Sequence, residues 1–402
     1  MMLLSHSNMI IQWLLILIFR FITETYCSGL VYSMYQLQQL SANKYNNIGD
    51  SDSISNSDSG QNQQLPINNS PSKDMICQTF SRHQRKLCNQ HFRLMESVVN
   101  GFLLGLNECQ FQFADQIWNC KGHNMTIGGN RSKSKPRKKG KTYLDKLVSK
   151  GTPEAAYVLS VISAGVAHQV TKACSKGVHD SCGCDRTIYD IPETATFKWS
   201  GCSHNIHFGA AFTRQFLDIT EKTRVNKRPE KALTKLHNNH VGRQAVILKM
   251  GKKCKCHGVS GSCEMKTCIR ALPDFRVVGD LLKSRFHKAM QVHFVDSRLI
   301  PRYSPNRMFT DNDLIYLLKS PNYCVHNPHI GSLGTQGRKC AESALLEKKP
   351  GETNGTCEEL CCGRGHKKRT FSRMEQCRCK FQWCCDVKCD LCKKDVIESV
   401  CD

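Results

Sequence analysis

The spacing of apolar residues changes along the chain, and each change marks a segment. Met9 to Ile22 is almost continuously apolar, interrupted by Gln12 and Arg20. The run suits the core of a secretory signal peptide and is short for the ~20 residues of a membrane span. Thr25, Cys27 and Ser28 can frame a cleavage, so residues 1–27 read as a signal peptide. A retained anchor is the alternative, because no Lys or Arg precedes the run. Residues 28–75 follow as a polar mature amino terminus, with Ser, Asn, Asp and Gln dominant between 41 and 73. Such sequence buries too little apolar surface to offset its ordering entropy, so disorder is expected there, with a binding segment as the alternative.

From Cys77 the period becomes helical. Met95, Val98, Val99, Phe102, Leu103 and Leu106 recur at spacings of three and four and share one face. A second helix begins at Thr152, which can cap it. Pro153 suits the first helical position, and Glu154 the positive end of the dipole. This helix runs through Ala156–Val166 toward Cys174. It is apolar nearly all round, which predicts a central core helix. Further helices are expected at about 205–221 and 229–250. Residues 76–300 thus read as a helical module, and 301–323 as a linker with some local structure. Within 324–402 the period falls to two. Cys379, Phe381, Trp383, Cys385, Val387 and Cys389 share one face; Lys380, Gln382, Cys384, Asp386 and Lys388 share the other. That predicts a long twisted hairpin over 377–392. The expected fold class is α+β and disulfide-rich: a helical amino-terminal module bearing a hairpin, then a small cysteine-rich β module.

Cysteine sets the compartment. The 402 residues include 25 cysteines, which argues against a reduced cytosolic enzyme. A single long apolar run argues against a multi-span membrane protein. With Cys27 in the leader, twelve cysteines lie in Cys77–Cys268 and twelve in Cys324–Cys401. Both sets are even, so each module can close its own disulfides, although a count does not give connectivity. The carboxy-terminal 79 residues are too few to hold a fold without covalent staples.

The net charge of +23 points to acidic partners. Its densest stretch is 131–141, where seven of eleven residues are Lys or Arg. This stretch reads equally as a solvated loop or as a patch for sulfated glycosaminoglycan or an acidic membrane surface. A secreted chain does not meet the nuclear import machinery, so no nucleic-acid partner is expected. Asn68, Asn124, Asn130 and Asn354 head N-x-Ser/Thr sequons and are candidate glycan sites, Asn124 and Asn354 the better ones.

The most informative segment is Cys254-Lys-Cys-His-Gly-Val-Ser-Gly-Ser-Cys-Glu-Met-Lys-Thr-Cys268. Nested pairing of Cys254 with Cys268 and Cys256 with Cys263 would make a two-rung hairpin with His257 to Ser262 at its tip. Gly258 and Gly261 supply turn geometry. Ser260 and Ser262 then sit on either side of Gly261, and a small, glycine-flanked, exposed serine on such a tip is a good acceptor for an acyl-transferring enzyme. Three other readings compete. A zinc site is disfavoured by Cys-x-Cys spacing and an oxidising compartment, so no metal is expected. A hydrolase nucleophile is disfavoured because Gly258-Val-Ser-Gly-Ser262 lacks the final glycine of G-x-S-x-G. A purely structural hairpin is the third.

Cys-Lys-Cys-His-Gly-Val-Ser-Gly-Ser-Cys resembles the signature of the Wnt family. Gly151-Thr-Pro-Glu-Ala-Ala156, Ser163-Ala-Gly-Val166, Cys182-Gly-Cys-Asp-Arg186 and Trp199-Ser-Gly-Cys202 resemble Wnt blocks in order. So do Leu236-His-Asn-Asn239, Phe275-Arg-Val-Val-Gly279, Gly334-Thr-Gln-Gly-Arg338, Cys361-Cys-Gly-Arg-Gly365 and Cys379–Cys389. The nearest look is to the Wnt-four type. The resemblance implies a secreted, non-enzymatic developmental ligand with no cofactor beyond a palmitoleate ester on Ser260, added by the acyltransferase Porcupine. It implies the Wntless carrier during secretion. It further implies binding to the cysteine-rich domain of a Frizzled receptor by the lipidated hairpin (His257, Gly258, Val259, Gly261). A second contact would come from a carboxy-terminal fingertip of Phe381, Trp383, Cys384, Cys385 and Val387, with Cys384 and Cys385 bonded to each other. An LDL-receptor-related co-receptor and heparan sulfate complete the implied partners, in the extracellular space and matrix. The rival is a heparan-sulfate-bound matrix protein without receptor signalling. His204, His240 and Ile269 depart from the family pattern, which usually has acidic residues near the first two and Trp at the third. Surface drift explains such changes, and a pH-sensitive contact is the sharper alternative.

Overall fold

In the computed structural model, residues 77, 80–121, 143–190, 197–303, 307–327, 329–342, 355–383 and 386–402 are described. The signal-peptide and amino-terminal segments, the basic stretch 131–141, all four sequon asparagines, Cys384 and Cys385 lie outside them. Two compact units divide the chain: Met1–Cys109 with Gly129–Ser320, and Gln110–Gly128 with Pro321–Asp402. Among the described residues no helix is long and apolar enough to cross a membrane.

The first unit is built on its helices. Ser81 and Gln84 form a capping box at α1 (Arg82–Gln90). α2 (Met95–Gln112) buries Met95, Val98, Val99, Phe102 and Leu106, the face its spacing predicts, with Leu103 half-buried. α3 (Tyr143–Lys150) precedes α4 (Pro153–Ser175), where the Thr152 hydroxyl accepts the Ala155 N–H at 3.4 Å. α4 is the centre. Tyr157, Val158, Val161, Ala164, Val166, Ala167 and Val170 are all fully buried, so neighbours surround it. α5 (Ile206–Lys222), α6 (Pro229–Leu248) and α7 (Phe275–His287) pack against it. α2 crosses α4 at glycine: a Cβ on Gly165 would stand 2.2 Å from the Gly101 carbonyl oxygen. The Ser163-Ala-Gly-Val166 block is therefore a close-approach site as well as an apolar one.

Among the described residues, two short sheets complete the first unit. β1 (Lys198–Trp199), β2 (Gly251–Cys256) and β3 (Lys266–Ala271) associate in the order β1-β3-β2. β4 (Met290–Val295) pairs antiparallel with β5 (Arg298–Pro301) and parallel with β6 (Ile315–Tyr316). The stretch 301–323 is therefore less of a linker than its sequence suggests, and the first unit runs to Ser320. Leu314 and Ile315 are fully buried, and Asn238 of α6 holds Ile315 by both its N–H (3.1 Å) and its carbonyl (2.9 Å). An apolar run this short carries no periodicity, and its partner asparagine is 77 residues away.

The second unit is small. β7 (His326–Asn327) pairs with β8 (Ser332–Leu333), and β9 (Lys339–Cys340) edges a sheet with β10 (His366–Gln382) and β11 (Asp386–Cys401), in the order β10-β11-β9. α8 (Cys357–Leu360) contributes Cys357 and Leu360, and its C-cap Cys361 joins them, in a core closed by Cys401. Cys324–Cys362, Cys340–Cys357 and Cys361–Cys401 staple it. Residues 110–128, expected in the helical module, group with this unit instead. The Arg338 guanidinium explains it: it donates to the carbonyls of Ala114, Gln116 and Ile117 at 2.8–2.9 Å. β10 (His366–Gln382) and β11 (Asp386–Cys401) form a far longer hairpin than the expected 377–392. Its lower half is Lys- and Arg-rich, with little alternation to read from sequence.

Candidate functional site

Two hairpin tips carry the candidate residues, one in each unit. In the first unit β2 and β3 are in register from Gly251↔Ala271 to Cys256↔Lys266. Cys254–Cys268 and Cys256–Cys263 form the two nested rungs. The root is tied into the unit. Cys268 and Ala271 are fully buried, Ser200 N–H donates to the Cys268 carbonyl, and Arg270 N–H donates to Ser203 Oγ.

The tip is a single 3-10 turn, Val259–Gly261, closed by Gly258 N–H to the Ser262 carbonyl at 2.8 Å. A Cβ on Gly258 would lie 2.6 Å from that carbonyl oxygen, so only glycine fits the closure. Ser260 sits at its apex with φ 56° and ψ 25°, the left-handed region. That conformation costs a non-glycine residue about 1 kcal/mol or more and persists where its surroundings over-determine it; here the inner disulfide and the Gly258–Ser262 closure do so. Ser260 is exposed, Val259 is 88% exposed and Met265 68%. His257 is turned to the stem, its Nε2 2.6 Å from Thr267 Oγ1. The structure thus brings His257, Gly258, Val259, Ser260 and Gly261 together on one rigid apex. Met265 and Thr267 join this apex and its stem without a motif of their own; the signal for Met265 is an apolar residue beside Glu264 in a polar turn.

In the second unit Phe381 and Val387 are direct cross-strand partners near the end of the ladder, 70% and 57% exposed. Trp383 lies in the turn, 93% exposed. Cys379–Cys389 and Cys377–Cys392 staple the hairpin behind them. A register shift between Cys377 and Lys380, with Arg378 at φ 48°, adds a bulge that alternation alone does not reveal. These tips hold covalently fixed, solvent-facing apolar and aromatic side chains, which suits recognition of another molecule.

His204 lies at the root of the first hairpin. Its Nδ1 accepts the Leu272 N–H at 2.9 Å, which requires an unprotonated Nδ1. Burial lowers its pKa, and Lys253 and Lys172 lower it further. His168, 3.0 Å from the Pro273 carbonyl, is lowered chiefly by burial, against the raising effect of that carbonyl. Both groups favour the neutral form when folded. Their contribution is whole above the unfolded value of about 6.5 and is lost as pH falls from there through the folded pKa. The melting temperature is expected to drop between pH about 7 and pH about 5, and to drop less in His204→Asn, whose amide oxygen still accepts from Leu272. Equal pH dependence of the two proteins would exclude His204.

The architecture and the paired tips define a disulfide-stapled α+β ligand. The chain belongs to the Wnt family, whose model matches residues 76–402. It is 38% identical to mouse Wnt-3a over 319 residues, covering 77% of this chain and 83% of that protein. It is 39% identical to zebrafish Wnt-1 over 323 residues, covering 77% and 80%. Among solved structures it resembles a chain in the complex of human WLS with WNT8A, at 33% identity and TM-score 0.53, covering 78% of this chain and 95% of that one. The Wnt-four likeness stays a likeness. Membership of the Wnt family places the chain among developmental signalling ligands.

Proposed function

We propose that this chain is a secreted, lipid-carrying Wnt ligand that engages the cysteine-rich domain of a Frizzled receptor through its two hairpin tips. The observation that carries the reading is Ser260, exposed at a left-handed apex of a hairpin with two disulfide rungs. Such an apex presents one hydroxyl to an enzyme while the backbone behind it stays fixed. In the transfer, Ser260 Oγ attacks the thioester carbonyl of a palmitoleoyl-CoA. The C–S bond breaks, the thiol leaves with the serine proton, and an ester remains. Porcupine is the enzyme proposed for this step and Wntless the carrier afterwards, the latter supported by likeness to a chain in the WLS–WNT8A complex. Heparan sulfate, an LDL-receptor-related co-receptor and glycans at Asn124 and Asn354 belong to the same reading, as does the extracellular matrix.

Burying ten or more methylenes is worth about 8 kcal/mol gross, so the acyl chain leads binding and the second tip adds to it. Intact mass spectrometry of the secreted peptide Cys256–Lys266 tests the proposal. A monounsaturated acyl mass on Ser260 is expected; an unmodified Ser260 in efficiently secreted protein would overturn it and favour the matrix rival. Trp383→Ala is expected to weaken receptor binding about 10-fold or more, as exposed aromatic anchors do. Unchanged affinity would remove the second tip from the interface.

A further inference from the structure

The stem below Ser260 carries a charge pattern of its own. Residues 251–271 hold five Lys or Arg and one acidic residue, Glu264. The register distributes the basic residues around the stem. Lys252, Lys266 and Arg270 lie on the face of the outer disulfide, and Lys253 and Lys255 on the opposite face. Lys252, Lys253 and Lys255 are exposed, Lys266 and Arg270 half-exposed. Above them the apex is apolar where it is most exposed, at Val259 and Met265. The hairpin is therefore an apolar tip inside a basic collar.

We infer that the acylated hairpin binds anionic phospholipid membranes tip first, with Val259, Met265 and the acyl chain at the hydrocarbon boundary and the lysine collar among the headgroups. The inference rests on acylation of Ser260. A sulfated polysaccharide would use the charge but has no use for the apolar tip, and a sheet lying flat would need its lysines on one face. The height also fits. From Cys256↔Lys266 to Lys252↔Arg270 is four residues, about 13 Å of strand. A headgroup layer of roughly 5–8 Å per leaflet and a screening length of about 8 Å cover that span. One acyl chain anchors only reversibly, and a polybasic patch is a second signal that converts such an anchor into a stable one.

The test uses the secreted full chain, its Ser260 acyl mass verified, on phosphatidylcholine vesicles with and without phosphatidylserine. Phosphatidylserine is expected to raise partitioning at least 10-fold, an effect that fades with salt. Lys253→Gln/Lys255→Gln/Lys266→Gln is expected to lose that gain by about 10- to 100-fold, and the matching Lys→Arg variant to keep it. An acylated Gln variant that still partitions like the parent overturns the inference. So does a loss shared by the Arg variant, and so does lowered retention on heparin with vesicle binding unchanged. Failure of the acylation reading shows separately, as a missing mass on Ser260 in the parent.

Discussion

Ser260→Ala is expected to reduce affinity for a Frizzled cysteine-rich domain at least 100-fold while the chain still folds with its disulfides complete. The magnitude follows from the lipid. Ten or more buried methylenes give about 8 kcal/mol gross, and even a third of that surviving the costs of association is about 100-fold in Kd. The fold is spared because Ser260 is exposed and Cys256–Cys263 and the Gly258–Ser262 closure hold the turn. Alanine in the left-handed region bears the same Cβ strain of about 1 kcal/mol that Ser260 already carries, so the substitution adds little of its own. Ser262→Ala is the matched control, since Ser262 takes part in the closure through its backbone. Titration of secreted parent and variants onto an immobilised receptor domain, with the acyl mass followed in parallel, measures the difference. A Ser260→Ala protein that binds like the parent would sink the lipid-led mechanism.

What the sequence disclosed was whatever is local. Spacing gave the buried face of α2. Thr152 and Pro153 gave the start of α4. The glycines and paired cysteines gave the first hairpin and its apex. What it did not disclose depends on partners far along the chain. Arg338 reaches back more than two hundred residues to the carbonyls of 114–117, and no local pattern announces that. Asn238 and Asn239 look alike in Leu236-His-Asn-Asn239 but serve different contacts. Asn238 holds the backbone of Ile315, and Asn239 donates to Asp218 at 2.9 Å. His204 reads as a surface departure, yet its ring accepts from the backbone at the root of the first hairpin. The bulge at Arg378 is likewise invisible to an alternating pattern, which continues unbroken through it. Family resemblance supplied the blocks without their physical reasons; the contacts supply those.

Asp218→Ala is expected to destabilise the helical unit by about 3–5 kcal/mol, or a melting temperature lower by roughly 10 °C for a unit this size. Asp218 on α5 and Arg243 on α6 form a bidentate pair at 2.9 and 3.2 Å, each side chain 4% exposed. Asn239 donates to the same carboxylate, and Ser163 of α4 accepts from Arg243 at 3.3 Å while donating to the Asn239 carbonyl. Removing the carboxylate leaves a buried guanidinium without its counter-charge, the costly half of breaking such a pair. Replacing both partners by Asp218→Leu/Arg243→Met removes the charge as well and is expected to recover most of the loss. About 1 kcal/mol stays missing for the Asn239 amide. The pair also bears on the ligand tip. α6 ends at Leu248 and β2 begins at Gly251, so disorder in α6 reaches the hairpin root within three residues. Asp218→Ala should therefore lower the acylated fraction at Ser260 along with the melting temperature, and the double variant should restore both. A single variant that melts like the parent would show that the network contributes nothing net. Restored stability without restored acylation would mean that Asp218 acts on the hairpin by some route other than α6 packing.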